Sequence, residues 1–221
     1  MDLKSKTINQ LKKKYGDWVL ITGATSGIGK EMALKFGEAG FNLVITGRRK
    51  ERLDQLATQL FDNYKTEAIP ITGDLSKDDD IALLIKETVH LPIKIIILNA
   101  GFGTSGKFVD SSIEEEINML ELNCKAVLKL AHHFSNQLKS NNSKGAIVLL
   151  SSMVAFQGVP NAAHYAATKA YVQSLGEALS IELKPIGIDV LCAAPGPDET
   201  GFSQRANMKM GKALKPEEVG V

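Results

Sequence analysis

"VLITGATSGIGKEMALKF", residues 19–36, is the stretch on which the fold turns. A short run suited to a strand, ending at Thr22, enters a turn carrying Gly23, Gly27 and Gly29, and the turn opens directly into a segment of helical period. A strand that passes through a glycine-rich turn into a helix is where a doubly wound sheet receives a pyrophosphate. Glycine permits the backbone angles of so tight a turn and removes the Cβ that would hold a phosphate away. The free N–H groups of the helix start attract the anion.

Outward from this turn, strand-like apolar runs recur at 18–22, 41–46, 68–71, 93–98, 146–150 and 188–193. Segments of helical period lie between them at 30–38, 51–61, 79–89, 113–137 and 165–183. This alternation predicts an α/β protein: a parallel sheet covered by helices on both faces, in three layers. No repeat, low-complexity tract or Pro/Gly-rich linker divides the chain, so residues 1–221 read as a single domain.

The 221 residues, 44% hydrophobic, suffice for a continuous core. With 26 basic and 25 acidic side chains the charge nearly cancels, which argues against nucleic acid or an anionic membrane as partner. Cys124 and Cys192 have no metal-ligand spacing and no paired framework, which reads as a reducing compartment, the cytoplasm, and no metal site. The N-terminal "MDLKSKTINQLKKKYG" is basic and weakly amphipathic. It lacks the apolar stretch of a secretion signal and reads as a solvated lead-in helix.

"HYAATKAYV" at 164–172 sets Tyr165 and Lys169 four residues apart, on one helical face. A free phenol has a pKa of about 10 and is a poor base at neutral pH, and a neighbouring ammonium favours the phenolate. Lowering that pKa by roughly two to three units takes about 3 to 4 kcal/mol, within reach of a lysine and a cationic ring in a partly dry site. The spacing Gly-X3-Gly-X-Gly after Thr22, "DL" at 74–75, "NAG" at 99–101 and Tyr-X3-Lys at 165–169 follow one another in an order that resembles the short-chain dehydrogenase/reductase family. The resemblance runs from about residue 15 to 202 and implies a Rossmann fold.

The resemblance also implies roles for residues. Thr22, Gly23, Thr25, Ser26, Gly27, Ile28 and Gly29 would form the pyrophosphate turn, Asp74 and Leu75 would border the adenine, and Asn99, Ala100 and Gly101 would pass close to the ribose. Tyr165 would be the general acid/base, with Lys169 also holding the nicotinamide ribose. Ser152 would bind the substrate oxygen, with Ser151 as the fallback, and Asn123, in preference to Asn118, would hold a water in the proton path. Pro195 and Gly196 would pass under the nicotinamide, with Thr200 on its carboxamide. Asp198 stands where the family often has valine, and Leu98 where it often has a second asparagine. His164 reads as structural.

At the end of the second strand, "VITGRRKERL", no acid is present to repel a 2′-phosphate. Gly47 stands where NAD-preferring relatives carry aspartate, and Arg48 offers a guanidinium, so NADP(H) is favoured over NAD(H). One of the pair Arg48 and Arg49 is then the solvated start of the next helix. The implied reaction is hydride transfer between NADP(H) and an alcohol/carbonyl pair, in a pocket walled by Phe102, Met153, Val154, Phe156, Gln157 and Val159. A non-catalytic NADP(H)-binding sensor or scaffold is the alternative. The resemblance implies a homodimer or homotetramer. "LKPEEVGV" at 214–221 reads as the start of a further helix, which in the family leads to a seventh strand.

Overall fold

The computed structural model describes residues 3–196. Thr200, Asp198 and the segment at 214–221 lie outside the described residues. The chain runs α1 (Leu3–Tyr15), β1 (Trp18–Thr22), α2 (Gly27–Glu38), β2 (Asn42–Gly47), α3 (Lys50–Tyr64), β3 (Ala68–Thr72), α4 (Asp78–Thr88) and β4 (Ile93–Leu98). It continues through α5 (Ile113–Leu120), a π-helical turn (Glu121–Ala126), α6 (Val127–Ser140), β5 (Gly145–Leu150), α7 (Ala163–Glu182) and β6 (Ile188–Ala193).

All strands pair in parallel, in the order β3-β2-β1-β4-β5-β6. The order reverses between β1 and β4, and this is the point at which such a sheet opens a crevice at its carboxyl edge. Strands buried on both faces can be continuous apolar runs, as "IKIIIL" nearly is. Their side chains alternate between two cores. Leu20, Val44, Ile96 and Ile147 pack with α4, α6 and α7, while Val19, Ile21, Leu43 and Ile45 pack with α2 and α3. The doubly wound, three-layer architecture expected from the periodicity is the one observed. Among the described residues, no helix is long and apolar enough to cross a membrane.

Two expectations change. The lead-in helix α1 is not merely solvated: Tyr15 is buried among Val19, Phe41 and Leu43, with Ile8 packed against the same cluster. Lys12 Nζ donates to the Gly40 carbonyl at 2.7 Å and lies 4.9 Å from the Phe41 ring centroid. Lys14 reaches Asp189 on β6 at 2.6 Å, and the Tyr15 hydroxyl donates to the same carboxylate. The long helix at 113–137 is divided by the π turn into α5 and α6, because residues 121–126 take wider i→i+5 turns.

Candidate active site

The crevice begins where β1 and β4 end. Thr22 Oγ1 accepts from the N–H groups of Asn99 and Ala100, each at 3.0 Å, and the Asn99 amide donates to the Thr22 carbonyl at 2.9 Å. These bonds tie "TGATSGIG" to "NAG" across the switch point. Gly23 has φ +71° and Gly27 φ +58°, in the left-handed region. A Cβ on Gly29 would stand 2.5 Å from the Gly23 carbonyl oxygen, so the turn closes only on glycine. What remains is a cradle of backbone N–H groups at the start of α2, a fit for a pyrophosphate.

On the adenosine side, a Cβ on Gly47 would lie 2.7 Å from Thr25 Cγ2, so a side chain at the end of β2 would require the Thr25 methyl to shift. Arg49 folds over the turn, its Nη2 2.6 Å from Thr25 Oγ1 and 2.8 Å from Ser26 Oγ. Arg48, the expected phosphate contact, leans towards Asp74 instead, Nη1 to Oδ2 3.9 Å. Asp74 accepts from the Ser76 hydroxyl at 2.9 Å, and Leu75 is buried beside it. The two arginines thus bracket one patch, and the one that touches the glycine turn is Arg49.

On the reaction side, Tyr165 and Lys169 are both buried, and Lys169 Nζ lies 5.9 Å from the Tyr165 ring centroid. Gly101 faces the lysine: a Cβ there would meet Asn123 Oδ1 at 3.0 Å and Lys169 Nζ at 3.5 Å. Lys169 Nζ donates to the Leu150 carbonyl at 2.8 Å, and burial pulls its pKa down to about 8. Of the two serines that close β5, Ser151 is buried and donates to the Lys169 carbonyl at 3.0 Å. Ser152 is half-buried, and its hydroxyl accepts from Val154 N–H at 3.4 Å. Pro195 joins this group through its carbonyl, which accepts from Met153 N–H at 3.0 Å, and Gly196 lies against Met153 Sδ.

Asn123 sits in the π turn with the defined partners that a buried amide requires. Its Nδ2 donates to the Phe102 carbonyl at 2.8 Å and to Thr168 Oγ1 at 3.0 Å, and its Oδ1 accepts from Phe102 N–H at 3.1 Å. Both amide N–H donors therefore go to protein acceptors, so the amide braces the loop after β4 against α7. Asn118 is half-buried a turn and more away. Phe102, expected in the pocket wall, is 2% exposed and belongs to the core. Met153, against Gly196, and Phe156 follow Ser152 and are 60% and 65% exposed.

Thr168 escaped the sequence reading, because its partner is 45 residues away. Arg49 was read only as one of a pair, and its place after β2 did not say which of the two reaches the turn.

The family model described as short chain dehydrogenase matches residues 17–211. The chain belongs to the short-chain dehydrogenase family. Its relatives include a 7beta-hydroxysteroid dehydrogenase from Clostridium sardiniense, 30% identical over 84% of this chain and 70% of that protein. A very-long-chain 3-oxoacyl-CoA reductase from Neurospora crassa is 37% identical over 80% of this chain and 54% of that protein. Among solved structures, a short-chain dehydrogenase from Sphingobium yanoikuyae in complex with NADPH superposes with a TM-score of 0.88 at 34% identity, covering 92% of this chain and 81% of that one. As a short-chain dehydrogenase, the protein is an oxidoreductase acting on CH–OH/C=O groups by hydride transfer. The glycine cradle and the Tyr165–Lys169 pair fit that membership better than a sensor or scaffold.

Proposed function

We propose that this short-chain dehydrogenase prefers NADP(H) and interconverts an alcohol and a carbonyl flanked by a bulky apolar group, with Tyr165 as the general acid/base. The observation that carries the proposal is the buried pair itself, Lys169 Nζ 5.9 Å from the Tyr165 ring centroid with Gly101 facing the lysine. When bound, the nicotinamide supplies or accepts the hydride. In the reductive direction Tyr165 gives its phenolic proton to the substrate oxygen, and in the oxidative direction it takes one back. Lys169 favours the phenolate through its charge. It uses one of its three N–H donors on the Leu150 carbonyl, and the others are suited to ribose hydroxyls. Ser152 donates to the substrate oxygen as charge develops there, while Asn123 keeps the post-β4 loop and α7 in register.

Support for NADP(H) comes from Arg49 over Thr25 and Ser26, with Arg48 close by, and from the lack of a carboxylate at Gly47. Thr22, Gly23, Gly27, Ile28 and Gly29 would hold the pyrophosphate, Asp74 and Leu75 would border the adenine, Asn99, Ala100 and Gly101 would face the ribose, and Pro195 and Gly196 the nicotinamide. Support for an apolar substrate comes from the exposed Met153 and Phe156 just after Ser152 and from the steroid and 3-oxoacyl relatives. Residues 1–221 act as one dinucleotide-binding domain, in the cytoplasm. Ile113, Ile117 and Leu120, 60%, 52% and 46% exposed, form an apolar stripe on α5 suited to a homodimer. The deciding experiment is a screen of 7-oxosteroids, 3-oxoacyl-CoAs and aryl ketones with NADPH and NADH, using Tyr165→Phe as control. Turnover that survives in the control removes Tyr165 from the chemistry.

A further inference from the structure

The helix that carries Tyr165 begins without a side-chain cap: Ala162 holds the N-cap position and has no side-chain acceptor for the N–H groups of the first turn. Uncapped helix starts fray, because their leading N–H groups lack partners. Tyr165 lies in that first turn, where fraying would move the phenol most. What holds the turn comes from the side. His164 Nε2 lies 3.0 Å from the backbone carbonyl of Glu116 on α5, and since a carbonyl only accepts, Nε2 carries the proton. Just ahead of the turn, Gly106 N–H donates to the Asn161 carbonyl at 2.8 Å.

Glu116 is itself 6% exposed, and its Oε1 accepts from Thr104 Oγ1 at 3.2 Å in the loop after β4. Its Oε2 has no hydrogen-bond partner, an arrangement that packing alone does not favour. Asn123, farther along the same helical run, grips Phe102 of that loop and Thr168 of α7. The two residues make a brace with two rungs. The inner rung joins Phe102, Asn123 and Thr168, and the outer joins Thr104, Glu116 and His164.

We infer that His164 is a positioning residue, which pins the uncapped first turn of α7 to the Glu116 carbonyl and thereby fixes the Tyr165 hydroxyl relative to Ser152 and Lys169. The inference rests on the reading of Tyr165 as the proton-transfer group. The test compares the whole protein with His164→Phe, which keeps a ring but no donor, and His164→Gln, which keeps a donor at similar reach. Two measurements are made on the NADPH complex. One is kcat and KM for a ketone from the screen; the other is the pH midpoint of Tyr165 phenolate absorbance, isolated by subtracting the Tyr165→Phe spectrum.

The expected result for His164→Phe is a fall in kcat of roughly tenfold, the scale of a sub-ångström misplacement, with NADPH affinity unchanged and the phenolate midpoint displaced. His164→Gln should restore most of both. A His164→Phe protein with parental kcat and midpoint overturns the inference, as does a loss that glutamine fails to rescue. Full activity in Tyr165→Phe would overturn the underlying reading of the site, whereas an inactive Tyr165→Phe beside a parental His164→Phe overturns the positioning role alone.

Discussion

The two edges of one sheet are finished in opposite ways. At the amino edge α1 closes the surface: Lys12 caps the Gly40 carbonyl, and Lys14 and Tyr15 converge on Asp189. Hydrogen bonds from Lys14 and Tyr15 hold the Asp189 carboxyl below its ordinary pKa, and Lys14 is correspondingly held above its own. At the carboxyl edge glycine removes side chains, backbone N–H groups at the start of α2 line the opening, and Lys169 is buried so deeply that its pKa falls. One edge pairs its charges, and the other keeps a buried charge at a cost. An enzyme needs both, because a preorganised site draws on stability supplied elsewhere.

The sharpest separation of the edges should come from Tyr165→Phe. Loss of a general acid/base lowers kcat by about 10² to 10⁴-fold, and a calorimetric melt should stay near that of the parent. A variant that melts early would place Tyr165 among the packing residues instead.

Next in size is Lys169→Met. The folded pKa of about 8 lies below the ordinary 10.5, so between those values the unfolded chain binds a proton that the native protein does not. Native stability therefore rises with pH across that window, and below it the full cost of the buried charge persists. Lys169→Met escapes that cost, so its stability relative to the parent is greatest near neutral pH and shrinks towards pH 10, by on the order of 1 to 3 kcal/mol. Urea unfolding at several pH values measures it, and a pH-independent difference contradicts the burial argument.

Arg49→Ala should lower the NADPH-over-NADH ratio of kcat/KM by roughly tenfold, the scale of a lost charge-assisted contact, with Arg48→Ala having the smaller effect. An unchanged ratio in both variants would remove the arginines from cofactor choice. The smallest effect belongs to the amino edge. Tyr15→Phe loses one hydrogen bond to Asp189 and should destabilise the fold by about 1 kcal/mol while leaving kcat intact. A change in kcat there would mean that the two edges communicate.

The elements were legible because strands buried on both faces are apolar runs bounded by turn residues, and helices keep their own period. Gly23, Gly27, Gly29, Tyr165 and Lys169 were legible because their roles depend on local spacing. Contacts between distant residues were not. Nothing near Asn123 announces Phe102 and Thr168 as its partners, and nothing in "GRRK" says which guanidinium reaches Thr25. The fate of α1 depended on Asp189, a residue 174 positions beyond Tyr15. Phe102 was misplaced for a related reason: a side chain beside a crevice can equally turn inward, and its backbone bonds to Asn123 leave it facing the core.

The π turn at Glu121–Ala126 gives the long helical run one residue more than regular winding would hold, and Asn123 stands within it. Such a turn takes up its extra residue without rolling the flanking helices off their faces, so deleting one residue from it should return ordinary winding and leave Leu130 and Phe134 in the core. What would go is the local widening that carries Asn123 to Phe102 and Thr168. A single codon lost within this hexapeptide would thus harm the chemistry while sparing the fold.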